Sequence, residues 1–305
     1  MNRSDYVFAL SEREQVSKLL DAMPAGKSIS RISLESRLKN IEKIISKADP
    51  RENEPTKAII TFKGPPVMGT HGISASFGTK AISFFDEAIS YVASAFMGAL
   101  PSAGKVPNSE NNHLMITSTA KGSFGFVLEE FRPDAPLGFD EKTLVAKALD
   151  RTQKILQASL DDNDELLSEA LEDLDNRALE KIRSFISYLS ENKTVFSLRN
   201  NDFTLVFRDP RQLETAHLKL GSENVHEEEF EANVYFLGTL PNKRQCEFLI
   251  AGETEIKSAK IHKSVEDPDD INKHLSTIGH CRFVKKTVGI GKPRYTLISQ
   301  PTWTK

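Results

Sequence analysis

Apolar residues recur at two different periods along this chain, and the change from one to the other divides it. Over the first fifty residues, Val16, Leu19 and Leu20, then Ile32, Leu34, Leu38, Ile41, Ile44 and Ile45, fall at helical spacing. Breaks are expected at Pro24–Gly26 and Ala48–Pro50. AIITF at 58–62 reads as a short strand dense in β-branched residues. Ile82, Phe85, Ile89, Val92 and Phe96 then advance by three and four, which predicts a mostly buried helix beginning near Thr79. His113–Thr119 and Phe124–Phe131 read as two strands around an AKGS turn. From Phe139 to Asn192 the pattern predicts a helical pair. In its second helix, taken as continuous over 166–189, Leu167, Leu171, Leu174, Ala178, Ile182, Phe185 and Leu189 form the strongest stripe in the chain. Such a stripe calls for burial, either within the domain or in a homo-oligomer. Val195–Leu198 and Phe203–Phe207 flank Arg199-Asn200-Asn201-Asp202 as a hairpin.

After residue 220 the composition shifts. The segment GSENVHEEEFE, 221–231, holds five glutamates and little to bury, so it reads as an acidic linker. Beyond it, Val234–Leu240, Gln245–Ile250, Glu255–His262, Cys281–Val288 and Arg294–Ser299 alternate as strands. EDPDDINKHLS supplies one short helix between the third and fourth, with Asp267 as its cap and Pro268 opening it. Three strands, a helix and two strands make the order of a small five-stranded β-barrel, OB-like, with an SH3/Sm-like barrel as the alternative. The expected fold is therefore α+β: a mixed helix/strand domain over 1–220, a linker over 221–231 and a barrel over 232–305.

Length and composition agree with two soluble domains: 305 residues, 39% hydrophobic and 27% charged. Two cysteines cannot staple a secreted scaffold, so Cys246 and Cys281 are expected as buried reduced thiols. No apolar run follows a basic patch at the start, and the longest apolar stretch, 89–100, is too short to span a bilayer. A cytoplasmic, non-membrane protein is the expectation.

Charge adds a functional hint. The net charge is −3, which excludes a chain that is basic throughout. From Ala232 onward, however, twelve Lys and Arg stand against seven Asp and Glu, about +5, leaving about −8 elsewhere. Arg282, Lys285 and Lys286 on the fourth strand, and Lys292 and Arg294 beside Tyr295 near the fifth, interleave basic and aromatic residues. That mixture suits a stretched single strand of nucleic acid, with phosphates neutralised and bases stacked. Strand alternation puts Arg282 and Lys286 on one face and Lys285 on the other. Reversing the charges of Lys286 and Arg294 is expected to abolish binding and spare the fold.

Catalytic signals are sparser. The stretch GPPVMGTHGISASFGTK between a strand and a helix lacks the G-x-x-x-x-G-K-[ST] spacing of a phosphate loop. His71 and His113 form a nucleophile–base site only if the fold brings them to Ser74, Ser76 or Ser118, and no G-x-S-x-G elbow is present. The cysteines and histidines of the barrel lack metal-ligand spacing, so neither a metal nor another cofactor is expected. PVMGTHGISASFGTKAISFFDEAI and LMITSTAKGSFGFVLEEF resemble bacterial proteins with a Gly-rich turn before a buried helix, a resemblance that carries no activity. The expected function is a non-enzymatic interaction protein whose barrel binds single-stranded nucleic acid or a protein. The alternative is an enzyme, a hydrolase or nucleotide-using protein, with a pocket around 69–80.

Overall fold

The computed structural model describes residues 3–23, 28–46, 56–101, 103–120, 124–130, 142–200, 203–275 and 277–303. The expected breaks at Pro24–Gly26 and Ala48–Pro50, the turn after Ala120 and the Asn201-Asp202 tip lie outside these residues. The helical start is a hairpin of α1 (Arg3–Asp21) and α2 (Ile29–Ile45), capped by Ser28, whose side chain accepts from the Arg31 N–H. Ala9, Val16, Leu20 and Ile41 form a small cluster of their own inside it.

Next come β1 (Lys57–Lys63), the two-residue strands β2 (Val67–Met68) and β3 (Gly72–Ile73), and α3 (Ala75–Ala95). Helix α3 begins four residues before the expected Thr79. Gly78, expected in the loop, lies buried in the first turn, where a Cβ would stand 3.3 Å from Ile73. Strands β4 (Leu114–Ala120) and β5 (Gly125–Glu130) precede α4 (Leu144–Ser159), α5 (Asp164–Leu171) and α6 (Asn176–Glu191). Then follow β6 (Val195–Arg199), β7 (Thr204–Val206) and α7 (Pro210–Leu220). The sheet runs β4-β5-β1-β6-β7 and every pairing in it is antiparallel. Ile60 and Phe62 of β1, Leu128 of β5 and Leu198 of β6 are buried with Phe85 and Ile89 of α3, Leu149 of α4 and Phe185 of α6. Gly125 is obligatory in this sheet, because a Cβ there would meet the Ile60 carbonyl oxygen at 2.0 Å.

The strong stripe belongs to two helices rather than one continuous helix over 166–189. Asp175 ends the continuity: its carboxylate accepts the Arg177 N–H at 2.8 Å, capping α6, and the Leu100 N–H at 3.1 Å. Leu167, Leu171, Leu174, Ala178, Ile182, Phe185 and Leu189 are all buried inside the chain, so the stripe packs intramolecularly. Helix α7 is an element that the apolar pattern does not announce. Asp209 and Gln212 form a reciprocal capping box with Pro210 at its first position.

The C-terminal part is a closed five-stranded barrel. Its strands are β8 (Val225–Leu240), β9 (Gln245–Ile250), β10 (Ile256–Ile261), β11 (Ile278–Val288) and β12 (Arg294–Leu297), with α8 (Asp269–Lys273) after β10. β8, β9 and β10 form an antiparallel meander; β11 pairs with β8, and β12 closes the ring between β11 and β10. The closing β10–β12 pair is parallel. A three-stranded meander closed by a Greek-key return is the connectivity of the OB-like option. Val234, Phe236, Phe248, Ala259, Ile261, Phe283 and Leu297 fill the interior. A last strand, β13 (Thr302–Trp303), extends β11, and Trp303 lies so close over Gly279 that a Cβ there would sit 2.9 Å from the indole.

The expected acidic linker is not a free segment: residues 225–231 form the first half of β8, a strand of 16 residues. Glu227, Glu228 and Glu231 stand opposite Lys286, Lys285 and Arg282 of β11. Cross-strand charge pairing makes a strand out of a sequence with little apolar content. Val225 and Val288, at the far end of this ladder, belong to the N-terminal core. The ladder thus joins the two cores.

Both cysteines and the one tryptophan lie in the barrel. Burial pushes the Cys246 and Cys281 thiols up to about 12, so almost no thiolate forms near neutral pH. The native protein is expected to resist iodoacetamide at pH 8. In a urea titration, alkylation and the change in Trp303 fluorescence should share one transition. Rapid labelling of native protein would contradict a closed interior.

Candidate binding surface

The basic and aromatic residues expected at a nucleic-acid site have different fates. Lys286 is buried: its ammonium donates to the Leu174 carbonyl at 2.6 Å and lies 3.1 Å from the Glu227 carboxylate. It faces the N-terminal domain. Arg294, its cross-strand neighbour, donates to Glu165 of α5 at 2.6 Å. Tyr295 packs edge-on against Phe248 and Phe230, with centroids 5.7 and 6.2 Å away, and burial raises its hydroxyl pKa. Lys285 is half-buried and 3.8 Å from Glu228. Arg282 and Lys292 are exposed and have no ion-pair partner among the described residues. Of the six, three are committed inside the molecule. Substituting glutamate at Lys286 and Arg294 would set carboxylates against Glu227 and Glu165, so that pair of changes attacks the fold. The basic excess also shrinks once β8 is counted whole: its four glutamates at 227, 228, 229 and 231 reduce +5 to about +1.

The outer face of the meander carries a different feature. Tyr235 stands opposite Leu249, and Leu249 opposite Ile256, so three apolar side chains line up across β8, β9 and β10. Phe236 and Phe248 fill the barrel, so alternation sends Tyr235, Leu237 and Leu249 outward. Ile256 is 61% exposed and Leu237 46%. Beside the row Glu247 is exposed, whereas Glu253 and Glu255, in the turn before β10, are held in ion pairs by Lys257. The Glu253 contact raises the Lys257 pKa. Sequence reasoning missed this row, although VYFL in β8 is apolar at both parities, which signals a strand with a second apolar face.

Of the residues of the enzyme alternative, three lie together and His113 lies apart. Ser74 Oγ and Ser76 Oγ bond each other at 3.0 Å at the start of α3, and His71 is exposed in the preceding turn. His113 Nδ1 instead lies 2.6 Å from Asp86, whose second oxygen accepts the Leu114 N–H at 2.7 Å. Ser76 and Asp86 are ten residues apart on one helix, about 15 Å at 1.5 Å per residue. His113 serves the start of β4. A cleft of about 660 Å³ lies between α6 and α7, lined by Phe84, Arg183, Tyr188 and His217 among others. Its arginine is engaged with Glu180 and the Leu220 carbonyl. Among the described residues no group of three or more His, Cys, Asp or Glu is placed to hold a metal ion, and no helix is long and apolar enough to cross a membrane.

The chain matches no family model, no curated protein and no solved structure.

Two predictions concern the junction beneath the barrel. Glu227→Ala leaves a buried ammonium with one carbonyl partner and should cost about 3 kcal/mol, the low end for breaking a buried pair. Glu228→Ala removes an exposed partner and should cost less than about 1 kcal/mol. Equal urea midpoints for the two variants would refute the distinction. Glu172, at the end of α5, has its carboxyl pushed up by desolvation, opposed by Lys260, Arg294 and Arg151. A carboxyl raised in the folded state contributes stability that is present below its unfolded pKa and lost as pH rises through the folded one. Glu172→Gln should therefore match the parent near pH 4 and gain on it toward pH 7, read from urea midpoints. A parallel pH profile would disprove the desolvation account.

Proposed function

We propose that the chain is a non-catalytic binding protein whose barrel takes a protein partner on the outer face of β8, β9 and β10. The observation that carries this reading is the row Tyr235–Leu249–Ile256 aligned across three strands, with Tyr235 and Ile256 exposed and Leu249 half-buried between them. An aromatic anchor flanked by aliphatic contacts is the composition of a protein–protein hot spot, and a contiguous exposed apolar patch marks an interaction surface. Glu247, exposed beside the row, favours a partner with a basic residue next to its apolar centre.

Nucleic-acid binding is the competing reading. It retains Arg282, Lys285 and Lys292, and three phosphate contacts to a single strand would give a salt slope of only about −2. Tyr295, packed on two phenylalanines, is not free to stack a base. The enzyme reading has no assembled nucleophile and base behind it.

The test compares three forms of the full chain: the parent, Tyr235→Ser with Ile256→Glu, and Arg282→Glu with Lys292→Glu. A specific protein partner captured by the parent should be retained by the charge variant. The apolar variant should lose it by at least about 30-fold in Kd, the equivalent of a 2 kcal/mol hot spot. A labelled single-stranded oligonucleotide should show no anisotropy change at low salt. Oligonucleotide binding that salt weakens and the charge variant loses would replace this reading with the nucleic-acid one.

A further inference from the structure

The α1–α2 hairpin leaves much of its apolar surface in water. Its own cluster buries four side chains, while Phe8 and Ile29 are 69% and 89% exposed and Leu19 and Ile44 about half exposed. Units of about 40 residues with so small a core are usually completed by oligomerisation or a staple, and no cysteine lies in this hairpin. The stripe of α5 and α6, whose spacing suggested self-association, is used inside the chain.

Ile32, 54% exposed, lies on the far side of α2, and the other exposed residues are ordered. Phe8, Glu12 and Leu19 follow at four and seven residues, one stripe along α1. Glu12 forms an ion pair with Arg37 across the hairpin, which fixes the two helices level at that point. Counting outward, Phe8 is level with Ile41, one turn from Ile44, and Leu19 is level with Ser30, beside Ile29. Ile44 lies seven residues beyond Arg37, on the same stripe of α2. The face therefore reads apolar, ion pair, apolar from end to end.

We propose that this face docks on the same face of a second copy, about a twofold axis running along the helices. That operation lays α1 of one chain on α2 of the other, so every neighbouring pair in the resulting four-helix bundle is antiparallel. Phe8 meets Ile44, Leu19 meets Ile29, and Glu12 meets Arg37, each contact occurring twice. The central charges alternate in sign around the axis. A second copy is thus the complementary occupant both in charge and in apolar position. Each face is roughly 28 Å long by 20 Å wide, from the helix rise and spacing, so the dimer buries on the order of 1,100 Å². This is the small end of specific interfaces, and the dimer is reversible.

Sedimentation of the full chain should show a monomer–dimer equilibrium over micromolar concentrations. Phe8→Glu with Leu19→Glu should be monomeric with an unchanged circular dichroism spectrum, since both positions are exposed. Glu12→Arg should weaken the dimer, and adding Arg37→Glu should restore it. Mixing a Phe8→Cys chain with an Ile44→Cys chain should give the mixed disulfide in preference to either homodimer. A parent that stays monomeric at about 100 µM, a hundred times a micromolar Kd, would overturn the proposal. So would a dimer indifferent to Phe8→Glu with Leu19→Glu.

Discussion

An ammonium group removed from water must be met by charge and by hydrogen-bond acceptors, and the burial of Lys286 imposes that demand where the two halves of the molecule join. Glu227 supplies the charge from the neighbouring strand, and the Leu174 carbonyl supplies an acceptor from the N-terminal domain. Both require β8 and β11 to be paired well past the barrel itself. The same requirement keeps the β11–β12 connection against α5: Gly289, at φ 51°, has no room for a side chain beside Asp164, and Arg294 reaches Glu165. The barrel is consequently seated on the N-terminal domain by a specific set of polar contacts, with Val225 and Val288 extending the N-terminal core beneath them.

Much of the architecture was legible because burial leaves a periodic trace. The strand 58–62, the buried helix around Phe85, both hairpin regions and the five barrel strands were all anticipated from alternation and helical spacing. The misreadings share one cause, which is that polar residues were read by their composition and not by their partners. Glutamates at 227–231 looked like linker because little there is apolar, yet a ladder of facing cations stabilises a strand as apolar pairs would. Asp175 interrupts a stripe whose apolar spacing continues undisturbed across the break. Helix α7 had its signal in Asp209, Pro210 and Gln212, a capping box rather than an apolar stripe.

For the site, composition pointed to six basic and aromatic residues, three of which are already engaged inside the molecule. Lys and Arg counts carry no information about which charges are already neutralised, and Glu165 lies 129 residues from Arg294 in sequence. Apolar residues on the outward parity of a strand whose other parity already fills a core are a separate signal, because they have no second core to enter. Tyr235, Leu237, Leu249 and Ile256 are of this kind. Of the His71, Ser74, Ser76 and His113 grouping, the first three remain neighbours at the start of α3, while His113 is held by Asp86 ten residues along that helix from Ser76.

The β8–β11 ladder has a mechanical consequence. Eleven residues of each strand are in register from Val225 opposite Val288 to Tyr235 opposite Ile278, and the 16-residue β8 is roughly 53 Å long at 3.3 Å per residue. A force drawing the barrel away along that axis carries both strands together, and is resisted by the chain entering β8 and by the contacts of the ladder's lower end with the N-terminal domain. The barrel is therefore mounted as on a stiff bracket. The barrel is held at a set distance and angle from the helices below, and tension applied to it passes into the N-terminal core.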